Sequence, residues 1–121
     1  METSINNKCK AFTSLEQSKK LAEILPLESA DMWYHGRYSP WGGERRYDSE
    51  PSLFRSMTPN WDKPCWSLSA LLDYLSANFR VTIKYLDNHW ELDCIVHVEY
   101  CKELIDACYK MIIRLNELKM L

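Results

Sequence analysis

The pattern that most restricts this chain is a change of period in its last third. Phe79, Val81, Ile83 and Tyr85 alternate with Arg80, Thr82 and Lys84, the two-residue repeat of a strand with one apolar face. Asp87-Asn88-His89 supplies a turn. Beyond it Trp90, Leu92, Cys94, Val96 and Val98 alternate against Glu91, Asp93, Ile95, His97 and Glu99, which together with the first run reads as a β-hairpin. The repeat then lengthens to that of a helix. Leu104, Cys108, Met111, Ile112, Leu115 and Leu118 share one face over residues 102–118, with Asp106 and Lys110 spaced for an i,i+4 ion pair. A one-sided hairpin and a one-sided helix bury both faces by packing on each other, so the expected class is α+β.

The upstream elements are expected to complete that layering. Thr13-Ser14-Leu15-Glu16 reads as a capping box with Thr13 as N-cap. Its helix carries Leu21, Ala22, Ile24 and Leu25 and is stopped by Pro26. Residues 32–37 predict a short aromatic strand, and Ser67 predicts the N-cap of a helix to about Ser76, striped by Leu68, Leu71, Leu72 and Leu75. Four prolines and the Gly42-Gly43 pair make residues 38–64 a long irregular loop region, with a strand expected at residues 52–57. The expected whole is one domain over residues 1–121 with residues 1–12 loose. It consists of an antiparallel sheet, the C-terminal hairpin plus one or two further strands, packed against about three helices.

Composition narrows the function classes. Over 121 residues, 46% are hydrophobic and 26% charged, a globular balance with enough apolar mass to form a core without staples. A formal net charge of −2 argues against general DNA or RNA binding, though it leaves room for a local basic pocket. No apolar run is long enough to span a membrane, and the first eight residues lack the apolar stretch of a secretory signal. The cysteines (Cys9, Cys65, Cys94, Cys101 and Cys108) are odd in number, as expected for reduced thiols in a cytoplasmic protein.

Several stretches carry a resemblance. Ser14-Leu15-Glu16-Gln17-Ser18-Lys19-Lys20-Leu21, Ser29-Ala30-Asp31-Met32, Trp66-Ser67-Leu68-Ser69-Ala70-Leu71-Leu72 and Leu104-Ile105-Asp106-Ala107-Cys108 occur in that order. Together they resemble a family of small uncharacterised proteins encoded by phages and prophages of gut bacteria. The likeness runs from Thr13 onward and thins through residues 36–62 and in the hairpin. It implies a phage-type accessory protein acting in the cytoplasm of the host cell. Such proteins often counter host defence, by binding a host protein or by sequestering a nucleotide signal. The resemblance carries over no catalytic or binding residue.

The chemistry-bearing segment is Trp33 to Tyr47, which holds two Trp, three Tyr, three Arg and all three glycines. Aromatic faces stack on bases and a guanidinium grips phosphate with paired hydrogen bonds. A ligand site is therefore expected from Trp33, Tyr34, His35, Arg37, Tyr38, Trp41, Arg45 and Arg46, with Arg55 added from the same region. Arg37, Arg45 and Arg46 would meet phosphate, while Trp33, Tyr34, Tyr38 and Trp41 would wall the pocket. The competing structural reading is that these aromatics fold back onto the sheet as a satellite core.

Three functional readings follow. The first is a non-enzymatic accessory protein that sequesters a small, anionic, nucleotide-like ligand. The second is a protein-binding inhibitor or adaptor acting through the aromatic loop or the C-terminal helix. The third is a nucleotide-signal hydrolase using His35 and an acid such as Glu44. Against catalysis stands the absence of a nucleophile elbow, a Cys–His signature or an HExxH helix. No metal or other cofactor is expected: Cys94 and His97 fall on opposite faces of one expected strand, while Cys101 and Cys108, expected on one helical face, lack paired short spacings. His89 is expected at a turn tip and His97 on an exposed strand face. The apolar end Leu115, Leu118, Met120 and Leu121 suggests a homodimer or higher homo-oligomer.

Overall fold

The computed structural model describes residues 10–37, 46–56 and 61–121. In chain order its elements are α1 (Leu15–Leu21), a 3-10 turn (Leu27–Ser29), β1 (Met32–Tyr34), β2 (Gly36–Arg37), β3 (Arg46–Tyr47), β4 (Lys63–Cys65), α2 (Leu68–Asn78), β5 (Thr82–Leu86), β6 (His89–Asp93), β7 (Val98–Cys101) and α3 (Leu104–Glu117). The class is α+β. One antiparallel sheet has the order β5-β6-β7, and two smaller antiparallel ribbons pair β1 with β4 and β2 with β3. Helix α3 lies across β6 and β7, with α2 beside it. Among the described residues no helix is long and apolar enough to cross a membrane.

The core sits between α3 and the sheet. Leu92, Cys94 and Cys101 come from the sheet side, Leu71 and Leu75 from α2, and Ile105, Cys108, Met111, Ile112 and Leu115 from α3. Burial of each large aliphatic side chain stabilises the fold by about 2 kcal/mol. Leu118, on the same expected stripe, is 43% exposed because the helix has already ended at Glu117.

Two left-handed residues close the hairpin. Asp87 and Asn88 have φ of 54° and 64°, between the paired residues Leu86 and His89. That is the two-residue type I′ turn, whose twist suits the flanking strands. His89 therefore opens β6 rather than belonging to the turn. The return strand is shorter than its alternation implies. Asp93 Oδ1 accepts the Ile95 N–H at 2.6 Å, the Cys94 N–H reaches the His97 carbonyl at 3.0 Å, and Ile95 is held at φ 73°. The side chain-to-backbone bond of Asp93 prevails over the apolar alternation. The chain reverses, and β7 pairs along β6 from Trp90–Cys101 to Asp93–Val98. Val96 is left exposed, His97 lies in this reversal with Nε2 2.6 Å from Glu99 Oε2, and Cys101 stands on β7 rather than on the helix with Cys108.

Tertiary bonds also shift the first helix. Its capping box is Ser14 with Gln17, through reciprocal bonds of 3.1 and 3.0 Å. Thr13 is buried and otherwise engaged: its N–H donates to the Trp66 carbonyl at 3.0 Å and its Oγ1 accepts the Trp66 N–H at 3.2 Å. The helix stops at Leu21, and the buried Leu25 follows in a turn before Pro26.

Residues 10–12, expected to be loose, are tied down. The Lys10 N–H bonds Glu103, its ammonium lies 2.8 Å from Asp106, and the Ala11 carbonyl accepts the Leu68 N–H. Asp106 is thus paired with Lys10 rather than serving the i,i+4 contact to Lys110. Burial would raise its pKa, but hydrogen bonds from Lys10 and Gln17 hold the carboxyl below its ordinary value.

Within the expected loop region, β4 is an added strand. Pro64 is tolerated there because β4 has a single partner, and a strand edge without ladder bonds needs no N–H. Of the strand expected at residues 52–57, Ser52 forms an isolated bridge to Trp33 and residues 53–56 are not strand, while Met57 lies outside the described residues.

The reversal after β6 yields a direct test. A β-branched residue at positive φ is strained by about 1 kcal/mol or more, and Ile95 is 71% exposed, so replacing it loses little burial. Ile95→Asn is expected to raise the stability measured by urea unfolding by about 1 kcal/mol. A loss of stability would show that Ile95 is held by contacts instead.

Candidate functional site

The chemistry-bearing segment is built on β1 and its neighbours. Trp33 exchanges two backbone bonds of 2.7 Å with Ser52, which anchors the chain from Ser52 to Ser56 alongside β1. The alternation of a strand then sorts the side chains. Tyr34 turns inward, is 3% exposed and donates its hydroxyl to the Thr13 carbonyl at 2.8 Å. Burial pushes its phenol pKa up, with the nearby Cys65 adding to the shift. Tyr34 is therefore a core residue, and its expected place in a ligand wall is corrected.

Trp33 is half-buried, and the Arg55 guanidinium lies 4.2 Å from its ring centre. His35 donates from Nε2 to the Phe54 carbonyl at 2.7 Å, and its Nδ1 is 3.8 Å from Asp48. Because a carbonyl only accepts, the proton on Nε2 is assigned. Asp48 in turn accepts from Arg37 at 2.6 Å, and that bond holds its carboxyl below the ordinary range. Arg46 stands across the small ribbon from Arg37 and is exposed. Trp33, His35, Arg37, Arg46 and Arg55 are thus brought into one region, with Asp48 compensating part of the charge. Tyr38, Trp41, Arg45 and the acid Glu44 lie outside the described residues.

Gly36 is fixed by packing. A Cβ there would stand 2.1 Å from the Trp61 carbonyl oxygen, so only glycine lets β2 pass Trp61. Its neighbour Asp62 is buried and accepts two bonds from Ser56, one from the N–H at 2.8 Å and one from the hydroxyl at 2.7 Å.

Between the anchors at Ser52 and Ser56 the chain presents Leu53 and Phe54 outward, 67% and 76% exposed. Phe54 is held by its own N–H on Ser52 Oγ and by its carbonyl on His35. The tip is therefore fixed at both ends and in the middle while its two largest apolar side chains face solvent. Sequence reading missed Leu53, Phe54, Asp48 and Asp62. The one available signal was a pair of adjacent large apolar residues inside a proline-rich region.

The four described cysteines are buried. Desolvation pushes Cys108 up to about 12 and Cys94 up to about 11, and both lie in the core with Cys101. Burial of that kind disfavours the thiolate, which is the reactive form. Among the described residues no three His, Cys, Asp or Glu side chains are grouped to hold a metal ion. No protein-family model, curated protein or solved structure matches the chain.

Gly36→Ala is expected to lower stability by about 2 kcal/mol, because the clash is with backbone and one chain must move. An unchanged urea midpoint would mean that β2 does not pass Trp61 at this distance.

Proposed function

We propose that this is a non-enzymatic binding protein whose Leu53–Phe54 tip, flanked by the Trp33–Arg55 stack, docks into a protein partner. The observation that carries the reading is the anchoring of the tip. Chain that is hydrogen-bonded to Trp33, His35 and Asp62 yet leaves Leu53 and Phe54 in solvent is ordered before any partner arrives. Preorganisation of that kind removes part of the ordering cost of association. Aromatic and arginine side chains grouped around an apolar centre are the usual composition of an interface hot spot. The partner surface is expected to offer an apolar pocket with carboxylates at its rim, facing Arg46 and Arg55. The phage-type resemblance supports a host protein, met inside the host cell, and a role against host defence.

A second reading rests on a different observation, the cross-strand adjacency of Arg37 and Arg46. Two guanidiniums at that spacing could hold a small, anionic, nucleotide-like ligand, with Trp33 beside them. The bond from Arg37 to Asp48 weighs against it, since a ligand phosphate would have to displace a carboxylate.

One pair of variants separates the readings. Leu53→Ser with Phe54→Ser removes exposed apolar surface only, so the stability measured by urea unfolding should change little, by about 0.5 kcal/mol or less per site. Binding to an identified host protein, measured by calorimetry with both components purified, should fall at least about a hundredfold, the size of two hot-spot losses. Arg37→Ala with Arg46→Ala should leave that complex within about tenfold of the parent, as rim charges do. Loss of a nucleotide-induced thermal shift in the arginine variant, with the tip variant unaffected, would overturn the protein-binding reading in favour of the anionic ligand.

A further inference from the structure

Two cavities meet where β6 begins and β7 ends. Helix α3 lies over β6 and β7 and leaves β5 exposed throughout, so the far face of the sheet is open. The first cavity, about 460 Å³, takes Lys10 from ahead of α1, Tyr100 and Cys101 from β7, Lys102 after it and Lys110 from α3. The second, about 410 Å³, is lined by Leu86, Asp87, Glu91 and Tyr100. His89 and Tyr100 line both, so the two form one bent groove round the corner of the sheet. Register explains the bend. Trp90 pairs with Cys101 on the face that α3 covers, while Glu91 pairs with Tyr100 on the open face. Each volume falls in the range of small-molecule sites, about 300–1,000 Å³.

The groove is polarised from end to end. In the first cavity the Lys10 ammonium is already paired: it lies 2.8 Å from Asp106 Oδ1, which also accepts from Gln17 at 2.9 Å. Lys102 and Lys110 form no ion pair among the described residues. Two uncompensated ammoniums therefore share one cavity in a chain of net charge −2, and a concave wall concentrates their field. Lys110 reaches the floor, where it opposes the rise that burial imposes on the Cys101 thiol pKa. The second cavity has the opposite sign, from Asp87 and Glu91, beside the apolar Leu86 and the Tyr100 ring. His89 stands at the junction. Its Nδ1 donates to the Asp87 carbonyl at 2.9 Å, which leaves Nε2 for a ligand.

That pattern admits an anion at one end only. A Lys ammonium holds phosphate as a point charge. Carboxylates at the other end repel a second phosphate and accept hydrogen bonds from an amino group. An exposed tyrosine ring offers a face on which a base can stack. We propose that the groove binds a nucleoside monophosphate with an amino-bearing base, its phosphate at Lys102 and Lys110 and its base on Tyr100 toward Glu91. The site shares no residue with the Arg37–Arg46 ribbon or the Leu53–Phe54 tip, and it stands or falls separately from both.

Titration calorimetry of the full chain with adenosine monophosphate tests this. Adenosine monophosphate is expected to bind at least about tenfold more tightly than inorganic phosphate or adenosine, each of which fills one end only. Inosine monophosphate lacks the amino group and should bind about tenfold more weakly. Lys102→Ala with Lys110→Ala should weaken adenosine monophosphate at least about tenfold, and Tyr100→Ala about tenfold. All three side chains are exposed, so the urea midpoint should not move. Arg37→Ala with Arg46→Ala should leave the affinity unchanged. Absence of binding at millimolar ligand would overturn the proposal, as would binding that survives loss of both lysines. Equal affinity for inosine monophosphate or for inorganic phosphate would overturn it as well. Loss of binding in the arginine variant instead would place the anion at the ribbon and reject this groove.

Discussion

Trp66 is the residue on which both halves of the protein depend. Its side chain is fully buried in the core formed by α2, α3 and the sheet, with its indole N–H on Ser29 Oγ at 2.9 Å. Its backbone, meanwhile, exchanges bonds with Thr13, whose carbonyl accepts the hydroxyl of Tyr34. One residue therefore joins the apolar core to the polar knot that holds β1. Loss of its packing would cost about 3–5 kcal/mol by the usual behaviour of buried tryptophan, and would release β1 as well. Everything on the outer side of β1 inherits its position from that junction: Trp33, His35 and the chain from Ser52 to Ser56.

That arrangement explains why the same short strand serves two purposes. Alternation sends Tyr34 inward to Thr13 and leaves Trp33 and His35 outward, where they bind the backbone of the tip. The inward residue supplies stability and the outward ones supply placement. Arg37 and Asp48 then pair at the margin, which removes one of the cations that a phosphate ligand would have needed. Among the described residues the outer surface carries Leu53 and Phe54 at the tip, the Arg55–Trp33 stack beside them and Arg46 across the ribbon from Arg37.

The parts of the fold that were legible in the sequence are those whose side chains report their own environment. The hairpin, its turn and α3 follow from periodicity, because each residue there is sorted by a single nearby interface. Where a distant group decides, the local pattern misleads. Asp93 caps Ile95 and cuts an apparently continuous strand in two. Thr13 is claimed by Trp66, so the cap passes to Ser14. β4 is hidden by Pro64, which is unfavourable in a strand unless the far edge is unused. For the site, Tyr34, one of the aromatics singled out by composition, belongs to the core. Leu53 and Phe54 went unnoticed because exposure is a property of the whole fold. The anchoring at Asp62 and His35 that makes their exposure meaningful spans residues with no local signature. The β5 edge was read as half-buried from alternation, yet alternation cannot tell whether a helix extends far enough to cover it.

The central claim is that the Leu53–Phe54 tip is held rigidly by the body of the protein, and amide hydrogen exchange measures that most directly. The Trp33, Ser52 and Ser56 amides are expected to exchange slowly, with opening free energies within about 2 kcal/mol of the α3 core amides, as for groups released only by sub-global unfolding. Exchange of the Ser52 and Ser56 amides at the rate of an unstructured chain would contradict the account, because a tip that is not anchored has no preformed face to present.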